Sequence, residues 1–393
     1  MNKNIKLAVA GAVLALSASA ANAGIIIPAG EWTVDLGGNV NSFFSQSKGS
    51  GTATVAGAIA TGNAASVNSQ GTGLLPNFLS LSASTRQNDL DVTWLISIQP
   101  GGDIGQAAQA GSQNNRQAYF TFGDKSWGSV KLGKDLGIFA SDAILNDMTL
   151  LGVGAGAGLG NATYGRIGTG FQYADWKSQV AYTTPNMNGF QATVGLTQGW
   201  SARATTGASS LATTNRGGSN PAYEGKASYS FSANDVTGKV WVSGIAQKIG
   251  GGTTTDDPVA QSADIGVNVN VAGFGLTGYY YGGTGIGTTF QFQDGYSANG
   301  KARDSDGGYV QATYVLPTKT KAGISWGQSN LDRSTGEVNT TLVKTNEMTT
   351  VGLYHPLTKH LNLVAEYSHI TSENQAGAEL KQNSGSLGGI LFF

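Results

Sequence analysis

Three patterns in this sequence have the residue types and spacing of known chemistry. Gly323-Ile324-Ser325-Trp326-Gly327 matches the G-x-S-x-G nucleophile pattern. That serine works only where a sharp strand-to-helix turn exposes it beside a histidine base. Ser325 lies instead inside a strand-like run between Lys321 and Gln328. The histidines His355, His360 and His369 crowd one predicted hairpin, with only His369 on the loop side. Gly273, Gly275 and Gly278 satisfy G-x-G-x-x-G, but Tyr279-Tyr280-Tyr281 follows where a phosphate site needs a helix opening. A chain with 59 glycines produces such matches by chance. No catalytic residue, no metal site and no cofactor is expected.

The elements that would have to position any site are strands. Asp264-Ile-Gly-Val-Asn-Val-Asn-Val271 alternates apolar Ile265, Val267, Val269 and Val271 with small or polar residues. Residues 90–99 set Leu90, Val92, Trp94, Ile96 and Ile98 against Asp91, Thr93, Leu95, Ser97 and Gln99, and 190–197 repeat the pattern. This period of two is that of a strand with one apolar and one wet face. Alternation and turn chemistry place strands at 31–46, 78–86, 90–99, 116–123, 128–134, 172–184, 189–199, 222–231, 237–248, 261–271, 274–283, 307–316, 319–329, 346–355, 360–371 and 383–393. Short connections such as Gln87-Asn88-Asp89, Ala272-Gly273 and Pro356 to Lys359 interleave with long Gly-, Ser-, Thr- and Asn-rich ones.

Composition selects the class. Charged residues make up only 12% of the chain, about half of what a soluble domain carries, yet no continuous apolar run long enough for a helical span exists in the mature part. A transmembrane antiparallel β-barrel tolerates both features, because each strand shows lipid only every second residue. Residues 1–23, with Lys3 and Lys6 ahead of an apolar stretch and Ala21-Asn22-Ala23 at the end, read as a cleaved secretory signal. Residues 24–393 then form one barrel domain. Without Lys3 and Lys6 the chain carries 21 basic against 24 acidic residues, which gives no electrostatic reason for nucleic acid as partner. The absence of cysteine removes disulfides and thiolate chemistry.

Residues 115–135, NRQAYFTFGDKSWGSVKLGKD, resemble the strand, turn, strand unit that precedes the inward-folded loop of the general Gram-negative porins. YGRIGTGFQY at 164–173 resembles the strand after that loop, TTPNMNGFQ at 183–191 and VGLYHPLTKHLNLVAEYSH at 351–369 are similar to two family hairpins, and Phe393 matches the terminal residue. The N-terminal IIIPAGEW at 25–32 and the long loops do not match. The resemblance implies a sixteen-stranded homotrimeric outer-membrane barrel. It would pass small hydrophilic solutes and ions, with the third long loop, residues 135–165, folded into the lumen. Outer-membrane lipid and lipopolysaccharide would surround it, and Phe393 would be the signal read by the barrel-assembly machinery.

By the same resemblance Arg116 and Arg166 occupy basic pore-wall positions and Lys134 stands in for an arginine. The loop offers Asp135, Asp142 and Asp147 as acids, and where the family has an acidic, proline-containing tip it reads MTLLGVGAGAGLG. A weakly charged, partly apolar constriction around Met148, Leu150 and Leu151 is therefore expected, with pinning of the loop to the wall as the simpler role for these side chains. Glycines 152, 154, 156 and 158 leave the tip little side chain. Trp32, Tyr119, Trp127, Tyr182, Trp326, Tyr354 and Tyr367 fit interfacial girdles, while one or more of the three consecutive tyrosines must face the lumen. Asp256 with Asp257, and Asp304 with Asp306, read as loop acids, with Ca²⁺ bridging to lipopolysaccharide as the alternative. Leu387, Leu391 and Phe393 should face lipid, with Ile390 and Phe392 at the periplasmic rim against the N-terminal segment. The competing readings are a substrate-specific channel and a structural or adhesive surface barrel.

Overall fold

Strands buried in lipid must satisfy every backbone N–H and C=O within the sheet, and an open sheet edge would leave a row of them unpaired. The structure, a computed structural model, meets that demand by closure. It describes residues 24–62, 66–100, 113–156, 162–202, 220–249, 258–298 and 300–393. Residues 1–23, read above as a secretory signal, the loop tip 157–161, including Gly158, and the pair Asp256–Asp257 lie outside the described residues.

Strands β1 (Ile25–Ala29) and β3 (Val67–Gly71) are short. The wall is built from β2 (Trp32–Ser50), β4 (Phe78–Gln87), β5 (Leu90–Pro100), β6 (Gln113–Asp124), β7 (Gly128–Leu136), β8 (Trp176–Thr183), β9 (Phe190–Thr197), β10 (Ala222–Ala233) and β11 (Val236–Lys248). It continues through β12 (Val259–Val271), β13 (Phe274–Thr284), β14 (Asp304–Val315), β15 (Lys321–Leu331), β16 (Val343–Pro356), β17 (Leu361–Asn374) and β18 (Glu379–Phe392). Each wall strand pairs antiparallel with its neighbours, and β18 closes on β2 from Lys381↔Ser50 to Phe392↔Asn39. All sixteen expected strands are present. Beyond the last rung, Phe393 and Gly38 exchange backbone hydrogen bonds of 2.9 and 3.1 Å, so the terminal residue completes the seam.

Parity behaves as the alternation predicts. On β12, Ile265 and Val267 are exposed while Ser262 and Asp264 are buried, and Leu387 and Leu391 likewise point outward. The tight turns carry the left-handed residues that two-residue hairpins need: Asn88 (φ 48) with Asp89 (φ 62), and Ala272 (φ 49) with Gly273 (φ 84).

Several positions differ from expectation. Tyr354 is buried, donating to Glu366 at 2.5 Å, and Tyr119 lies beneath the Lys131 ammonium, 4.7 Å from its ring centre. Neither belongs to an outward girdle; Trp127, Tyr182, Trp326 and Tyr367 are exposed. The tyrosine run, by contrast, follows the expected alternation, with Tyr279 and Tyr281 buried and Tyr280 exposed. Ile390 and Phe392 join an apolar cluster with Phe43, Met148, Leu151 and Val153, so they meet the third loop as well as the N-terminal strand. Asp304 and Asp306 belong to β14, where Asp304 accepts from Thr284 at 2.6 Å, and are not free loop acids.

Candidate functional site: the connection between β7 and β8

β7 ends at Leu136 and β8 begins at Trp176, so the third long connection is 137–175 rather than 135–165. Residues 172–175 do not pair as strand because other partners take their backbone. Tyr173 N–H donates to the Thr289 carbonyl at 2.9 Å, and Gly137 N–H to that of Asp175 at 2.8 Å. The connection carries a short helix α1 (Ser141–Asn146), entered through Ala140 in the left-handed region (φ 61), and a 3₁₀ turn, Met148–Leu151.

Four strands far from β7 in sequence hold it. At its root, Glu224 on β10 accepts the N–H groups of Ile138 and Phe139 at 2.8 Å each through Oε2. Its Oε1 accepts from Lys177 Nζ and Thr197 Oγ1, both at 2.6 Å. Lys177 is fully buried and also donates to Gln291 at 2.5 Å. On α1, Asp142 pairs with Lys226 Nζ at 3.1 Å and with Lys239 Nζ. Tyr309 of β14 donates to the Ala143 carbonyl at 2.9 Å, and Gln311 accepts from Met148 N–H at 2.6 Å. On β17, Glu366 accepts the N–H groups of Val153 and Gly154 at 2.7 and 2.9 Å. Gly152 beside them has no room for a side chain, since a Cβ there would stand 2.1 Å from the Glu366 carboxylate.

The three constriction acids named from sequence, Asp135, Asp142 and Asp147, are each paired. Asp135 belongs to β7, where Lys131 and Gln117 hold it, the latter at 2.9 Å. Asp147 caps the 3₁₀ turn, accepting Thr149 N–H at 3.1 Å, and stands 3.8 Å from Arg166 Nε. Burial sets the electrostatics here. It pushes the Asp147 carboxyl above its ordinary value and the Arg166 guanidinium below its own, because the pair at 3.8 Å returns less than desolvation costs. For Asp142 burial is the largest single influence and acts upward, but the two lysines together outweigh it and its carboxyl lies below the ordinary value.

Of the basic residues named from sequence, Arg166 is fully enclosed: it donates to the Met348 carbonyl at 2.9 Å and presents no charge to a solute. Lys134 lies on the parity opposite buried Asp135 and donates to the Asn115 carbonyl at 2.7 Å; Lys131 takes the position facing Asp135. The Arg116 guanidinium stands 5.7 Å over the Trp176 ring. Met148, Leu150 and Leu151 are buried: Leu150 packs with Ile144, Tyr279 and Tyr309, and Met148 and Leu151 with Phe43 and Tyr354. The sequence reading did not single out Lys177, Lys226, Lys239, Glu224 or Glu366. Their parity was the available signal, since each alternates with an outward apolar set such as Val240 and Val242.

Two further connections lie against the same wall face. From 51–77, the N–H groups of Ile59, Ala60 and Thr61 donate to Asn346, Ser372 and Gln382 at 2.9 to 3.1 Å, and Leu74 N–H donates to the Gly152 carbonyl at 2.8 Å. From 285–303, Gln291 and Thr289 meet Lys177 and Tyr173.

This arrangement has known counterparts. The family model described as Gram-negative porin matches residues 9–375. No curated protein matches the sequence. Among solved structures, the fold is similar to the outer membrane channel DcaP of Acinetobacter baumannii. That match has 17% identity and a TM-score of 0.70, covering 94% of this chain and 100% of the other. It is similar also to an anion-selective porin from Comamonas acidovorans, with 14% identity and a TM-score of 0.60, covering 92% and 100%. Salmonella typhi OmpF in complex with daunomycin shares 12% identity with a TM-score of 0.60, covering 94% and 100%. At these identities the likeness concerns the fold.

Proposed function

The chain belongs to the Gram-negative porin family and forms an outer-membrane channel for passive diffusion of solutes, and from that premise we propose how its interior sets what passes. Segment 137–175 crosses the lumen and narrows it. The supporting observation is that its partners Glu224, Lys226, Lys239, Gln311 and Glu366 all lie on the wall parity opposite the exposed apolar one. Asp135, Asp142, Asp147, Met148, Leu150 and Leu151 are its anchoring set: each acid is neutralised by a cation of the wall or of the segment, and each apolar side chain packs it in place. Such pairing leaves a weak transverse field, because opposed charges polarise a pore only when they face each other across water.

The solutes are small and hydrophilic, and the chain does no catalysis; Ser325 sits within β15 at a straight strand position, without the turn that a nucleophile needs. The barrel assembles as a homotrimer, and Phe393 is read by the barrel-assembly machinery, for which the paired, aromatic end of β18 is the supporting feature. Lipopolysaccharide is the outer-leaflet neighbour. Liposome swelling with sugars of graded size tests the reading. Uptake that falls smoothly with size supports general diffusion through a narrowed pore, and uptake that ignores size up to trisaccharides removes the narrowing role of 137–175.

A further inference from the structure

The connections 51–77, 137–175 and 285–303 are each held to the wall, and they also meet one another. Ile59 of the first is fixed through its N–H, which donates to Asn346 Oδ1 of β16 and Ser372 Oγ of β17, both at 3.1 Å. Its side chain reaches Gly168 of the second. A Cβ built on Gly168 would stand 3.1 Å from Ile59 Cδ1 and 2.6 Å from Thr289 Oγ1 of the third, and its φ of 78 is one that glycine adopts without strain. Nearby, the Tyr164 and Phe290 rings lie 5.9 Å apart between centres. Tyr173 N–H ties the same two segments through the Thr289 carbonyl at 2.9 Å.

Met148, Leu150 and Leu151, the apolar residues expected at the constriction, are buried and cannot line a path for water. Ile59, Tyr164 and Phe290 are only partly buried, one from each connection, with Ile59 and Tyr164 backed by an apolar cluster that includes Ala155 and Leu342. The charged side chains of the same segments do not show there: Arg166 is fully enclosed and Asp294 is buried. We propose that Ile59, Tyr164 and Phe290 form an apolar eyelet on the loop side of the lumen that favours small solutes with an apolar face, a role that rests on segment 137–175 narrowing the channel. A solute in such a gap sheds water from the surface it presents to the walls. An apolar face gains by this, whereas an amide gives up hydrogen bonds that apolar surfaces do not replace.

Free leucine and asparagine test this, being closely matched in size, with the same zwitterionic end, and differing in whether methyl groups or an amide finish the side chain. In liposomes carrying the folded full chain, leucine uptake, corrected for protein-free liposomes, should exceed asparagine uptake about fivefold. Ile59→Ser and Phe290→Ser should each shrink that ratio, and together they should equalise the two solutes. The same variants should raise potassium chloride conductance in planar bilayers, because a wetted gap passes ions more readily. Phe290→Leu keeps an apolar side chain and should keep the preference, and Val338→Ser, at a loop position that is 85% exposed, should change nothing. Equal uptake of leucine and asparagine by the unmodified protein overturns the eyelet and leaves the diffusion channel standing. A leucine preference indifferent to both serine variants overturns it as well. If the serine variants fail to fold, the solute pair on the unmodified protein and on Phe290→Leu decides. A folded protein that admits neither solute and conducts no ions removes the channel reading, and the eyelet with it.

Discussion

Replacing Glu224 by glutamine changes one atom and tests what holds the root of the constricting segment. The carboxylate serves four donors, two per oxygen: Ile138 and Phe139 N–H at 2.8 Å, and Lys177 Nζ and Thr197 Oγ1 at 2.6 Å. An amide offers one acceptor oxygen, so in either orientation its NH₂ confronts two of these donors. If it turns toward the backbone, two buried N–H groups lose their acceptor, each at about 1–3 kcal/mol. If it turns toward Lys177, a fully buried ammonium keeps only Gln291, and breaking a buried pair in this way costs about 3–5 kcal/mol. Either way about 4 kcal/mol falls on the junction where the segment leaves β7. Glu224→Gln should lower the temperature at which the unheated barrel loses its compact electrophoretic mobility, and single-channel recordings should show altered conductance with added open-channel noise. Ser228→Ala, on the same strand and parity, should change neither. A Glu224→Gln protein with unchanged melting and unchanged conductance would refute the reasoning, because it would mean the root is held by packing of Phe139 and Ile138 alone.

Asp142→Asn removes the acid that pairs with Lys226 and Lys239 and should shift the reversal potential in a salt gradient toward anions. Both lysines are about a third exposed, so solvent screening limits the stability loss to about 1–2 kcal/mol. The pH dependence has a definite sign: a carboxyl held below its unfolded value, about 3.9, contributes stability that is present above that value and lost as pH falls through the native one. Asp142 is such a group, so selectivity should step toward anions only below the ordinary carboxyl value of about 3.9, a step missing in Asp142→Asn. Asp147 has the opposite sign, since burial raises it and protonation relieves a buried charge. Gly38→Ala places a Cβ 2.2 Å from the Phe78 carbonyl and 2.9 Å from the Phe393 ring; it should impair closure at the seam as deletion of Phe393 does, seen as a fall in the folded, heat-modifiable fraction, and wild-type yields from both would remove the seam role.

Period-two alternation was enough to place all sixteen wall strands, because lipid on one side and a wet interior on the other act on each residue through its parity alone. Segment 264–271 needs no partner to declare itself. The tight turns were equally local, since Asn88-Asp89 and Ala272-Gly273 carry their left-handed conformations in their own residue types. Parity also pointed Glu224, Lys226, Lys239 and Glu366 inward, but it carries no depth and names no partner across the barrel. Only closure of the sheet brings Glu366 of β17 to the Val153 backbone, or Lys239 to Asp142, at sequence separations of 213 and 97. For the same reason the loop acids read as free charges in sequence and prove to be paired. Arg166, assigned to the wall, is enclosed because Asp147 and the Met348 carbonyl converge on it. Lys134 yields its place to Lys131 through a shift of three residues that reverses the side of the strand. What the sequence determined is the barrel, which follows from local patterning; what the tertiary structure decided is the charge and shape of its interior, which depend on contacts between strands remote in the chain.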